Sequence, residues 1–452
     1  MPNLSNIKKY ASHPVLLGTA LLTATGVASR IIGFFYRIFL SHTVGAQGMG
    51  IYQLIFPVFA LGVAFCGAGV QTAVSKYTAE AVGAGRCPQT CLYAGLVLSV
   101  SLSVFCTLSI YAGADLVAVN VLDEPRCGEL LRIVSLSLPL AAIHSCINGY
   151  YYGLQKTFVP SVSQLLEQVC RVLCVYLIYR ICESQGRPVS AAMAVWGIVC
   201  GEFAGVLFSV TVVPLKKCRE RLSACLRHIF IFSVPLTANR VLINFINSTE
   251  AILIPICLKA YGYSNEDALG IFGILTGMAM PMILFPSVLT NSVSVMLLPS
   301  ISQAKAQKNQ ALIHRTIRRT IESCLVLGFA STLFFLLTYS MIGKYLFANT
   351  LAGIYIRTLS FICPFMFLST TLNSVLHGLG HPTATLVLNL SGCLLRIAVI
   401  WLFVPVYGIR AYLYGMLASQ ILTSLCAVQQ VQHIFINTID IQKRLKLSYG
   451  LP

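Results

Sequence analysis

The chain has 452 residues, 57% of them hydrophobic and only 10% charged, with a mean hydropathy of +0.80. That balance excludes an ordinary soluble globular protein and identifies a polytopic membrane protein. A net charge of +17 would suit a nucleic-acid binder, but the basic residues gather in the gaps between apolar runs, so no nucleic acid is expected as a partner.

About twelve apolar runs near twenty residues long follow in chain order, at 15–40, 51–75, 90–112, 130–153, 160–181, 190–213, 229–257, 270–298, 321–342, 355–377, 383–405 and 411–433. The expected fold class is therefore all-α, a polytopic membrane protein of about 12 transmembrane helices. The segment after Lys8 and Lys9 has the charged and apolar regions of a signal peptide, but its apolar stretch continues long enough to read as an uncleaved first helix. Prolines within the runs, at Pro57, Pro139, Pro235, Pro255, Pro281, Pro286 and Pro364, predict bends. With the N-terminus in the cytoplasm, Lys8, Lys9, Lys76, Arg86, Lys156, Lys216 to Arg227, Lys305 to Arg319 and Lys443 to Lys446 all fall inside. Asp115, Asp123, Glu124, Glu129, Glu183, Glu266 and Asp267 fall on the opposite face. This positive-inside pattern predicts a multi-pass protein of a bacterial cytoplasmic membrane with both termini cytoplasmic, its basic loops against anionic lipid.

The first run places Arg30 and Arg37 seven residues apart on one helical face. An arginine at the centre of a spanning helix costs roughly 2.5–3.5 kcal/mol on insertion scales, so it faces a partner or a watery cavity. A cationic stripe at that depth suits a substrate with an anionic head, with contact to a helix carbonyl end or to Glu202 as the structural alternative for Arg30. Arg37 lies near the outer end of its run and can equally reach headgroups. Arg171 follows Glu167 by four residues, the favourable order for an intrahelical pair, so neutralisation is its leading account. Arg240 sits mid-membrane among Asn239, Asn244, Asn247, Ser248, Thr249 and Glu250, and Arg396 lies in a run without an acid. Seventeen cysteines include no CxxC pair; the spacings of Cys87 with Cys91 and Cys170 with Cys174 fit small apolar filler. His42, His144, His377 and His381 are scattered, and with no catalytic cluster or metal motif the chain is not expected to be an enzyme.

The second half echoes the first. Ala28-Ser29-Arg30 is matched by Ala238-Asn239-Arg240, Gly50-Ile51-Tyr52 by Gly270-Ile271-Phe272, Asn148 with Gly153-Leu154 by Asn373 with Gly378-Leu379, and Arg171 by Arg396. Two repeated six-helix lobes, 1–225 and 226–452, are expected, joined through the basic linker Lys216 to His228.

Three stretches carry a family resemblance: SRIIGFFYRIFLSHTVGAQGMGIYQLIFP from Ser29, GAGVQTAVSKYTAE from Gly67, and INGYYYGLQKTFVP from Ile147. They resemble the multidrug/oligosaccharidyl-lipid/polysaccharide exporter superfamily, in its stage V sporulation protein B-like, polysaccharide biosynthesis branch, which is related to the lipid II flippases. The resemblance implies two six-helix lobes in a V around a central cavity, working by alternating access. Ser29-Arg30-Ile31-Ile32-Gly33 matches the S-R-x-x-G motif with which lipid II flippases hold a lipid-linked pyrophosphate. The next arginine of that branch is displaced by one place, with Tyr36 at its position and Arg37 following, a rotation of about 100° on a helix.

The expected function is a flippase moving a polyprenyl-pyrophosphate-linked oligosaccharide or peptidoglycan precursor to the outer leaflet, its head held by Arg30, Arg37, Arg240, Arg171 and Arg396. Na+ or H+ is a candidate coupling ion at Asn244, Glu250, Asn389 or Thr423, and cell-wall or polysaccharide synthesis enzymes are candidate partners. A cation-coupled multidrug antiporter, a nontransporting scaffold in cell-wall or spore assembly, and a membrane-embedded transferase are the competing readings.

Overall fold

The computed structural model describes residues 14–214, 222–288 and 310–449, with single helical positions at 290, 297 and 301 between the last two stretches. Every regular element among these residues is helical. The linker residues 215–221, Lys8, Lys9, Lys305, Lys308 and most of the chain between 289 and 309 lie outside the described residues. The first helix, α1 (Pro14–Leu54), is broken at Gly45, whose φ of 69° and ψ of −176° leave helical space. Lacking a Cβ, glycine reaches that conformation without strain. α2 (Phe56–Val63) begins with a proline in its first turn and runs through a π-turn (Ala64–Ala68) into α3 (Gly69–Gly83).

There follow α4 (Gln89–Asn120), α5 (Cys127–Ser135), α6 (Ser137–Gly153), α7 (Phe158–Ser184), α8 (Ala192–Val212) and α9 (Leu222–Tyr261). Next come α10 (Asn265–Gly273), a π-turn (Ile274–Ala279), α11 (Met280–Leu284), α12 (Gln310–Met341), α13 (Thr350–Leu359), α14 (Cys363–Gly378), α15 (Pro382–Tyr407) and α16 (Ile409–Tyr449).

Among the described residues ten helical segments are long and apolar enough to cross a membrane, so the all-α polytopic class holds. The count differs from about twelve for two physical reasons. The first segment, Leu21–Gly83, is 63 residues long and merges two predicted runs across Gly45. α7 is not among the ten; it carries Glu167, Arg171, Arg180 and Glu183 within an otherwise apolar helix.

Compact packing divides the chain into Met1–Ile256 with Ser264–Gly277, and Cys257–Tyr263 with Met278–Pro452. The two-lobe division expected at 225 comes from the sequence repeat; of these compact units, the first takes in most of α9, together with α10.

In the first unit, backbones approach where side chains are absent. A Cβ added to Gly50 would lie 2.0 Å from the Leu269 carbonyl oxygen, and one on Gly273 would lie 2.3 Å from the Ala46 carbonyl oxygen. Thus Gly50 and the segment around Gly270, matched by the repeat, meet at one crossing of α1 and α10. A second close crossing, Gly149 and Gly153 of α6 against Gln71 and Ser75 of α3, closes over a core of Val70, Val74, Leu92, Ile147 and Tyr150. The second unit has its own core, including Ile313, Ile317, Leu372, Val375, Leu376 and Val431. Among the described residues fifteen cysteines are free, but Cys87 is disulfide-bonded, which corrects its reading as small apolar filler.

Between α4 and α5, Glu124 turns inward and is 1% exposed. It accepts hydrogen bonds from Arg126 Nε at 2.6 Å and from Asn265 Nδ2 at 2.7 Å, pinning this loop to the start of α10. Burial alone would raise its carboxyl, but the bonds from Arg126 and Asn265 outweigh burial and hold it below the ordinary value of 4.5. The stability it contributes is complete above its unfolded value and is lost as pH falls through the lower, folded one. Glu124→Gln should cost about 1–3 kcal/mol near neutral pH. In thermal unfolding, the gap between variant and intact chain should narrow once the pH falls below 4.5.

Candidate functional site

Charge at membrane depth in the first unit is sorted into two kinds. Arg30, on α1, is exposed and forms no ion pair among the described residues, and the same holds for Arg240 on α9. The asparagine one turn after Arg240, Asn244, donates to the Arg240 backbone carbonyl at 3.0 Å, which leaves the guanidinium unengaged by it. Glu202, the acid considered as a partner for Arg30, faces His144 instead.

The other charges are gathered where α6, α7 and α8 pack. Arg171 donates to Glu167 one turn earlier, realising the intrahelical pair that the spacing predicts. His144 Nδ1 stands 3.4 Å from Glu202 Oε2 and 4.0 Å from Glu167 Oε2, and its Nε2 stands 3.0 Å from Ser163 Oγ. The ligand atoms of these three titratable residues all lie within 4.8 Å of one another. α8 can come this close because it presents glycines. A Cβ on Gly201 would lie 2.8 Å from the Glu167 carbonyl oxygen and 3.1 Å from Arg171 Cβ, while one on Gly205 would lie 3.2 Å from His144 Cε1.

From this cluster the network reaches α1. Tyr36, Tyr52 and Arg37 lie near Arg171. Arg37 is half-buried and donates to the carbonyl of Thr276 at 3.5 Å, in the π-turn after α10. The Tyr36 hydroxyl and Arg171 Nε are buried and have no hydrogen-bond partner among the described residues. Phe39 stacks edge-on against Tyr179 at 5.5 Å, holding α1 to α7 near the same level.

In the second unit, Arg396 donates to Ser419 Oγ at 3.2 Å and to Cys393 Sγ at 3.2 Å, tying α15 to α16. Of the ion-coupling candidates, Thr423 is buried and donates to the Ser419 carbonyl of its own helix at 3.0 Å. Asn389 is exposed and accepts from Asn373 Nδ2 at 3.4 Å. Glu250, in the first unit, is buried. An open cavity of about 830 Å³ in the second unit is lined by Tyr261, Tyr263, Tyr407, Tyr414, Phe403 and Arg410, and by none of the nominated residues.

His144, Ser163 and the glycine face of α8 are what sequence reading missed. The available signal was polarity at depth: Glu167 and Glu202 are acids inside apolar runs, and such residues are rarely placed there without partners. With Arg171 removed, Glu167 loses its cation in a buried setting. Arg171→Met should therefore destabilise by about 3–5 kcal/mol. The double variant Arg171→Met with Glu167→Gln should recover a large part of that loss in detergent-solubilised thermal unfolding.

The chain was compared with known families, sequences and structures. Residues 15–305 match the family model described as polysaccharide biosynthesis protein. Stage V sporulation protein B of Bacillus subtilis is 26% identical over 455 residues, covering 98% of this chain and 88% of that protein. The lipid II flippase MurJ of the same organism is 23% identical over 347 residues, covering 70% and 63%. A solved inward-facing structure of a multidrug resistance MATE family transporter of the MOP superfamily shares the fold, with a TM-score of 0.72 at 13% identity over 91% of this chain and 95% of that one. A family model spanning well over half of an all-helical, multi-pass chain decides the assignment: the protein belongs to the polysaccharide biosynthesis protein family.

Proposed function

We propose that this protein is an alternating-access flippase that carries a polyprenyl-pyrophosphate-linked oligosaccharide or peptidoglycan precursor from the inner to the outer leaflet. The observation that carries the reading is the pair of exposed arginines, Arg30 and Arg240, without an ion-pair partner among the described residues. Left in hydrocarbon, each would cost roughly 2.5–3.5 kcal/mol, a cost relieved by a watery path or by an anionic cargo. A guanidinium offers a permanently charged, planar set of donors matched to phosphate oxygens. Membership of a polysaccharide biosynthesis family and the sequence likeness to a lipid II flippase supply the class of cargo.

In this reading Arg30 and Arg240 meet the pyrophosphate, and Arg37, anchored at the Thr276 carbonyl, borders it. Arg171 and Arg396 are engaged by Glu167 and by Ser419, so they position their helices more than they hold cargo. The polyprenyl tail stays in lipid, and the cargo changes sides without a covalent step. The cell envelope enzymes that make or use the carried lipid are the natural partners, and the charge distribution supports a bacterial cytoplasmic membrane with both termini inside. A cation gradient, of Na+ or H+, supplies the direction.

Transbilayer movement of a fluorescent polyprenyl-pyrophosphate saccharide in proteoliposomes tests this. A charged hydrogen bond is worth about 1.5–3 kcal/mol. Arg30→Ala at matched insertion should therefore slow movement by about tenfold or more, with Arg30→Lys between the two. Equal rates in all three would remove Arg30 from the mechanism; movement of cationic dyes in place of the lipid would make the protein a drug antiporter.

A further inference from the structure

The contacts around His144 accommodate a proton on each ring nitrogen. Ser163 Oγ donates to the Pro160 carbonyl at 3.0 Å, which commits its only hydrogen. With that hydrogen on the carbonyl, Ser163 accepts from His144 Nε2, 3.0 Å away, and Nε2 is the N–H of the ring in this arrangement. A neutral imidazole has one N–H, and this contact uses it. Nδ1 would then aim a lone pair at Glu202 Oε2, 3.4 Å away, setting acceptor against acceptor in a site where His144 is only 7% exposed. His144 is also the one hydrogen-bond partner of the Glu202 carboxylate among the described residues. One added proton between Nδ1 and Oε2 turns this repulsion into a charge-assisted hydrogen bond.

The charges agree with the hydrogen bonds. The groups facing the imidazole are Glu202 from α8 and Glu167 from α7, with Arg171 bonded to Glu167. Arg37, Tyr36 and Tyr52 lie near Arg171. Two carboxylates and one guanidinium carry a net −1, which a single proton neutralises. A divalent ion would leave a buried positive charge and would have to share Glu167 with Arg171, an unfavourable arrangement in a poorly solvated site.

We infer that His144 and Glu202 form a binding site for one proton, carried on the imidazole, whose occupancy ties α6 to α8. α8 meets this cluster through Gly197, Gly201 and Gly205, so Glu202 is its charged tether there. Loss of the proton replaces the tether with repulsion and favours separation of the two helices. If the protein is the flippase proposed above, a reading on which this one step rests, proton binding here biases the transport cycle and H+ is the coupling ion. Its site is then this cluster in place of Asn244, Glu250, Asn389 or Thr423.

The test is nitrogen-15 NMR of the full chain in nanodiscs with labelled histidine, titrated between about pH 5 and 9, with His144→Gln assigning the signal. The expected result is a His144 ring protonated on both nitrogens in the acid part of that range, with proton affinity lowered about tenfold or more in Glu202→Gln and the other histidines unmoved. A ring that stays neutral across the range, or one indifferent to Glu202→Gln, would overturn the proposal. So would stoichiometric displacement of the proton by Na+, Zn2+ or Mn2+ at neutral pH. Lipid flipping under an imposed pH gradient is read separately: stimulation of the intact chain but not of Glu202→Gln is expected. A gradient that stimulates both equally would remove the site from coupling. Absence of flipping by the intact chain would refute the flippase reading while leaving the NMR titration to judge the proton site.

Discussion

A charge held in the hydrocarbon of a membrane has to be neutralised or kept wet, and the first compact unit is organised around that requirement. Arg171, Glu167, Glu202 and His144 come from three helices and meet in one cluster. Their packing fixes the relative rotation of α6, α7 and α8, because turning any one of them would strand a carboxylate or a guanidinium away from its partner. Against this closed network the two exposed arginines, Arg30 and Arg240, stand out as charges for which the fold supplies no acid among the described residues.

Close backbone approach makes such a network possible. Gly201 and Gly205 let α8 lie against Arg171 and the His144 ring, where side chains would hold the helices apart. In membranes helices associate through packing and interhelical polar contacts, with little hydrophobic drive, so small residues at crossings carry much of the specificity. The α1 and α10 crossing at Gly50 and Gly273 obeys the same rule. The segments around Gly50 and Gly270 are pressed together there.

The repeat is chemically uneven. Arg171 and Arg396 occupy matched positions, yet the first bonds a carboxylate and the second a hydroxyl and a thiol. The first arginine is thus met by an acid, whereas the second reaches from α15 to neutral acceptors on its own helix and on α16.

Sequence alone determined what depends on local hydropathy and local spacing: the all-helical membrane class, the position of most spans, and the intrahelical Arg171 and Glu167 pair. These follow from side chains within one helix, whose geometry is set by the 3.6-residue turn. His144 read as an isolated histidine because its partner Glu202 is 58 residues away on another helix. Which polar residues face each other across helices depends on axial rotation and crossing distance, and those are decided by glycine contacts and by the need to neutralise buried charge. Tertiary structure therefore decided that Glu202 serves His144 and not Arg30, that Glu124 anchors a loop to Asn265, and that α7 spends its polarity inside a charge network.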